Sequence, residues 1–81
     1  TEALLILKTP VDFMRLRELR RARNISQLKL SMDLQLNQNA ISRYETGLRE
    51  ADYATLIKIA DYFNVSIDYL LERTDNPEIN R

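Results

Sequence analysis

Eighty-one residues with an apolar share of 44% permit one small domain around a modest core. Without cysteine there are no disulfides or thiolate metal sites, and without histidine the commonest general base, the Ser-His-Asp triad and most zinc sites are gone. The net charge is zero, which gives no overall attraction to nucleic acid, but residues 1–51 hold nine Lys or Arg against six Asp or Glu (+3) and residues 52–81 three against six (−3).

The chain opens with an apolar arm, residues 1–8, in which Leu4, Leu5, Ile6 and Leu7 follow no clear period. This run is far short of the roughly 20 residues of a membrane span. It is also too short for a secretory core, and no small-residue cleavage site follows it, so a cytoplasmic protein is expected. Thr9 and Pro10 then read as the cap and first position of a helix running to Arg23, with Phe13, Leu16 and Leu19 on its inner face. Asn24 stops it, being tolerant of a left-handed backbone. Arg15, Arg17, Arg21 and Arg23 read as a solvated face, one or two of which could flank a polyanion.

Ser26 caps a second helix that ends near Leu34 and turns Leu30 and Leu34 inward. Leu28 and Met32 lie one turn apart off that stripe, where the arm could pack over them. After the short turn at Gln35 and Leu36, Asn37 caps a third helix, which Gly47 ends. Ile41 and Tyr44 give this helix a narrow apolar stripe, while Gln38, Asn39, Ser42 and Arg43 point elsewhere. Asn and Gln can pair with adenine, and Arg with guanine, in the DNA major groove. Two short helices joined so tightly form a helix-turn-helix unit. Asp52 caps a fourth helix bearing Leu56, Ile59, Ala60 and Phe63, and Asn64 ends it. Ser66 caps a fifth bearing Ile67, Leu70 and Leu71. Tyr62 and Tyr69 lie outside the inferred core and are candidates for a dimer surface. Residues 73–81 read as a polar tail, and the missing initial methionine is compatible with a fragment of a longer chain. The expectation is an all-α fold of five short helices, with its domain over residues 9–72.

A set of short pieces carries a family resemblance: Arg17-Glu18-Leu19-Arg20, Ile25-Ser26-Gln27, Leu30, Ile41-Ser42-Arg43-Tyr44-Glu45, Gly47, Thr55 to Ala60, and Val65 to Leu71. In this order and spacing the chain resembles the phage-repressor and Cro (XRE) family of helix-turn-helix DNA-binding domains. The resemblance implies a lambda-repressor-like bundle of five helices whose third enters the major groove. It implies base contacts from Gln38, Asn39 and Arg43, and phosphate contacts from Gln27, Asn37 (through its backbone amide), Ser42, Thr46 and Arg49. It also implies a partly buried ion pair between Arg20 and Glu45.

Three departures stand out. Gln35 replaces the family's usual turn glycine, Ala51 replaces a common proline, and Glu50 and Asp52 put acid in a loop that is usually basic or neutral. Modest affinity and strong salt dependence are therefore expected. The expected function is sequence-specific transcriptional regulation, by repression, with homodimers on an inverted-repeat operator and no cofactor, metal or enzymatic activity. The alternative is an antitoxin-like or assembly module of the same fold, whose main partner is a protein.

Overall fold

The computed structural model describes residues 14–79. Five helices lie among them: α1 (Leu16–Ala22), α2 (Gln27–Leu34), α3 (Gln38–Thr46), α4 (Tyr53–Phe63) and α5 (Ile67–Leu70). The starts of α2 to α5 follow from one local chemistry. The side chains of Ser26, Asn37, Asp52 and Ser66 accept from the amides of Lys29, Ala40, Thr55 and Tyr69, three residues on, at 2.8–3.0 Å. Each bond satisfies one of the amides that a helix start leaves without an intrahelical acceptor.

Their ends share a second chemistry. Asn24, Gln35, Gly47, Asn64 and Glu72 all have φ between 56° and 76°. In each case the following amide reaches back to a carbonyl five residues earlier: Ile25 to Arg20, Leu36 to Ser31, Leu48 to Arg43, Val65 to Ala60 and Arg73 to Asp68. This is the Schellman closure, and it needs a left-handed residue at its centre. Gln35 therefore takes the backbone shape for which glycine is suited, with φ 58° and ψ 42°.

The first helix differs from expectation. It begins at Leu16, while Met14 and Arg15 form a bend and a turn. The reason is tertiary: the Arg15 amide donates to the Leu70 carbonyl at 2.8 Å, so this backbone serves α5 instead of continuing a helix from upstream. Thr9, Pro10, Asp12, Phe13 and the arm Leu4–Leu7 lie outside the described residues.

Leu16, Leu30, Ile41, Ile59 and Leu70, one from each helix, are fully buried and form the centre of the core. Burying one such side chain contributes roughly 1.5–3 kcal/mol. Leu34, Tyr44, Phe63 and Val65 close around them. α3 packs on α2 and α1, α2 also packs on α4, and α4 packs on α5. Ile67 and Leu71 stand at the exposed margin, and of the four residues of α5 only Leu70 is fully inside. The polar stretch after α5 is tied back. The Ser66 amide donates to the Pro77 carbonyl at 2.9 Å, and the Arg15 guanidinium holds the Thr74 carbonyl and the Asp75 carboxylate.

Candidate nucleic-acid interface

The period of α3 separates a fixed side from an unengaged one. Ala40, Ile41, Tyr44 and Glu45 are buried, at the i, i+1, i+4, i+5 positions of one face. Gln38, Asn39 and Arg43 are exposed on the opposite side with Ser42 and Thr46 half-buried between or beside them. Pairs four apart, Gln38 with Ser42 and Asn39 with Arg43, lie one above the other along that face. Among the described residues, the side chains of Gln38, Asn39 and Arg43 have no hydrogen-bond or ion-pair partner.

Glu45 fixes the orientation of this helix from beneath. Its side chain is 0% exposed. Arg20 grips it with two donors, Nε to Oε2 at 2.7 Å and Nη2 to Oε1 at 3.2 Å. Arg17 Nε adds a contact to Oε1 at 3.3 Å, and Gln27 Nε2 another at 3.1 Å. Arg20 also donates through Nη1 to the Ile25 carbonyl at 3.0 Å, which anchors the guanidinium itself. Burial opposes the charge on Glu45, but the donors from Arg20, Gln27 and Arg17 outweigh it and hold the carboxyl below its ordinary range. One carboxylate thus ties α3 to α1 and to the start of α2.

Arg17 is the residue that sequence reasoning missed. The expected solvated face hides it, although its place three residues before Arg20 puts the two on one face of α1. Two more arginines of that supposedly solvated face are also engaged. Arg15 donates to the Tyr69 carbonyl at 2.9 Å and lies 4.2 Å from the centre of the Tyr69 ring. Arg23 donates to the carbonyls of Tyr62 and Phe63, the last two of α4, both at 3.1 Å. Arg21 alone of the four has no side-chain partner among the described residues. Lys58 makes the same kind of closure on α2, donating to the Leu34 carbonyl at 2.8 Å.

The expected phosphate ligands divide in two. Asn37 uses its side chain as the α3 cap, which leaves its backbone amide at the helix start, where anions are favoured. Gln27 spends one amide hydrogen on Glu45 and keeps a second. Arg49 is exposed, with its guanidinium 5.9 Å from the centre of the Tyr44 ring. Thr46 is the weakest of the set, because its hydroxyl donates back to the Ser42 carbonyl at 3.0 Å and is turned into the helix. Tyr62 and Tyr69 are partnered within the chain: the Tyr62 hydroxyl donates to Asp33, and Tyr69 lies under Arg15. Among the described residues, no group of acidic side chains is arranged to hold a metal ion, and no helix is long and apolar enough to cross a membrane.

Comparison with known proteins agrees with this geometry. A family model described as "Helix-turn-helix" (HTH_3) matches residues 16–70, from the first residue of α1 to the last of α5. The chain is similar to the uncharacterized HTH-type transcriptional regulator YqaE of Bacillus subtilis (strain 168), 36% identical over 64 residues, covering 79% of this chain and 55% of the relative. It is also similar to the HTH-type transcriptional regulator ImmR of the same organism, 36% identical over 61 residues, covering 75% of this chain and 48% of ImmR. A third, the SPbeta prophage-derived uncharacterized HTH-type transcriptional regulator YonR, again of Bacillus subtilis (strain 168), is 33% identical over 60 residues, with 74% and 56% covered. The chain spans about half the length of these curated relatives. No solved structure matches significantly.

Proposed function

The chain belongs to the helix-turn-helix (HTH_3) family, and from that premise we propose that it is a sequence-specific DNA-binding transcriptional regulator that reads the major groove with α3. The observation that carries this reading is the division of α3 itself. Its buried side is locked by Glu45, and the opposite side offers Gln38, Asn39 and Arg43 without partners among the described residues. Gln38 and Asn39 pair with adenine edges, and Arg43 reaches a guanine or the adjoining backbone. Gln27, the Asn37 amide, Ser42 and Arg49 position the helix on phosphates, with Thr46 marginal. The curated relatives named above are all transcriptional regulators, which supports the same reading.

The action is occupancy without chemistry. A helix seated in the groove excludes other proteins from the same base pairs, which makes repression its simplest outcome. Two copies on an inverted repeat would match protein two-fold symmetry to operator symmetry. The place of action is the cytoplasm, where a bacterial-type regulator of this family meets its duplex.

The test is selection from a randomised duplex pool, followed by fluorescence-anisotropy titration of the wild type and Asn39→Ala at low and at physiological salt. An enriched sequence, bound more weakly by the variant with preference relaxed at one base pair, is expected; the loss should be about 1–3 kcal/mol. Weak binding with no enriched sequence, indifferent to the substitution, would sink this reading and turn attention to a protein partner.

A further inference from the structure

The carboxyl end of α2 is gripped by α4 at two neighbouring points. The Leu34 carbonyl accepts from Lys58 Nζ at 2.8 Å, and the Asp33 carboxylate accepts from the Tyr62 hydroxyl. Asp33 and Leu34 are the last two residues of α2, while Lys58 and Tyr62 lie four apart on α4 and stand one above the other on one face. Each bond meets a need that the end of α2 cannot meet by itself. The closure around Gln35 engages the Ser31 and Met32 carbonyls. It leaves out that of Leu34, one of the last four that a helix cannot pair internally. The helix dipole favours a cation there and disfavours a carboxylate. The charge on Asp33 is offset by Lys29, 3.0 Å away, together with the Tyr62 hydroxyl.

Only Gln35, Leu36 and the cap Asn37 separate this grip from α3. None of the three is slack. Gln35 is held left-handed, the Leu36 amide donates to the Ser31 carbonyl at 2.8 Å, and the Asn37 side chain caps the Ala40 amide. A shift of the α2 end therefore passes to the first turn of α3, which carries Gln38 and Asn39. Since α3 packs on α2 and α2 packs on α4, α4 bears on α3 through this end of α2. A binding constellation has to be held within about 0.5 Å and 10–20° of its productive geometry. We propose that Lys58 and Tyr62 are positioning residues for DNA reading: touching no base or phosphate themselves, they hold the carboxyl end of α2 and so set the angle at which α3 is presented. The consequence for DNA rests on the groove-binding reading; the hold on the turn does not.

The experiment has one arm for each. Without DNA, amide hydrogen exchange of the whole chain is followed by NMR for the wild type, Lys58→Met and Tyr62→Phe, the last of which removes only an exposed hydroxyl. Exchange of the Leu36 and Ala40 amides should quicken at least about fivefold, while the Leu48 amide, bound to Arg43 at the far end of α3, keeps its wild-type rate. Uniform quickening, or none at Leu36 and Ala40, would overturn the proposal. With DNA, the duplex enriched from the randomised pool is titrated at a temperature where every variant is fully folded. Lys58→Met should bind about fivefold more weakly and discriminate less against a change at the base pair that Asn39 reads. Lys58→Arg, which keeps a charged donor, should recover most of the loss, and Arg23→Ala, which loosens the far end of α4, should show none. The slope of log K against log salt should stay at the wild-type value. A slope shallower by about 0.9 would make Lys58 a phosphate contact, and full affinity in Lys58→Met would make its role structural alone; either overturns the proposal. Failure to enrich any sequence would instead count against the groove-binding reading, leaving the exchange arm to decide the hold on the turn.

Discussion

Arg23 and Phe63 meet twice: the guanidinium donates to the Phe63 carbonyl at 3.1 Å, and the same group lies 4.9 Å from the centre of the Phe63 ring. A cation at the end of α1 thereby closes the carbonyl end of α4, where the helix dipole favours positive charge. Arg23→Ala should lower stability by about 1 kcal/mol. Arg23→Lys should recover only part of this, because an ammonium lacks the planar fork that reaches both the Tyr62 and Phe63 carbonyls. Urea melts of the three proteins decide it. DNA affinity at saturating folded protein should be unchanged, which separates this arginine from the proposed interface.

Glu45 supplies the acid limb of stability. Its ordinary value is 4.5, and Arg20, Gln27 and Arg17 hold it lower in the folded chain against the opposing effect of burial. The unfolded chain therefore takes up this proton first as pH falls, so the stabilisation is complete above about 4.5 and drains away as pH drops through the folded value. Asp33, lowered by the Tyr62 hydroxyl and Lys29, and Asp52, lowered by Thr55, work in the same direction. Glu45→Gln should flatten the acid limb and cost roughly 3 kcal/mol at neutral pH, because two arginines then lose their buried counter-charge. Urea midpoints measured from neutral to about pH 3 give both readings at once. Equal acid sensitivity in wild type and variant would show that other carboxylates govern it.

Gln35 bears a left-handed backbone, φ 58°, at the turn between α2 and α3. Gln35→Gly should remove the steric penalty of a side chain there and raise stability by about 0.5–1 kcal/mol, after allowing for glycine's greater freedom in the unfolded chain. For a domain of this size that is several degrees in Tm. The same substitution at Asn24 or Asn64 should yield less, since asparagine tolerates this conformation better. A lowered Tm would mean that the Gln35 side chain contributes more than its strain costs.

Glu50 stands exposed in the loop that follows the proposed reading helix, beside Arg49. On the groove-binding reading its charge opposes the nearest phosphates. Glu50→Gln should tighten DNA binding modestly, and Glu50→Lys should tighten it further while steepening the dependence of log K on log salt by about 0.9 for one added phosphate contact. An unchanged slope for the lysine variant would place this loop away from the backbone.

The helix boundaries after Arg23 were legible because the chemistry that sets them is local. Ser26, Asn37, Asp52 and Ser66 act on amides three residues away, and Asn24, Gly47 and Asn64 act on the backbone where they stand. The stripes around Leu30, Ile41 and Ile59 were equally visible, being periodic within single helices. Long-range partners were not, apart from the Arg20–Glu45 pair that the family resemblance implied. Arg15 meets Thr74 and Asp75 across about sixty positions, and nothing in the neighbourhood of either end announces the other. The true start of α1 was hidden for the same reason, since the Arg15 amide is drawn off by Leu70. The exposed face of α3 could be read from its residues, whereas the second arginine under Glu45 needed the packing of α1 on α3.

The bond from the Ser66 amide to the Pro77 carbonyl also decides how this small body bears mechanical load. It folds the outgoing chain back along α5, so that Ile79 comes to lie with Ile57 and Ile67 around a shallow hollow. A tether attached after Ile79 would leave from the flank of α4, and a pull on it would be met first by the Pro77 carbonyl and the Arg15 guanidinium. With those two grips intact, α5 and the buried Leu70 behind it are shielded from the force.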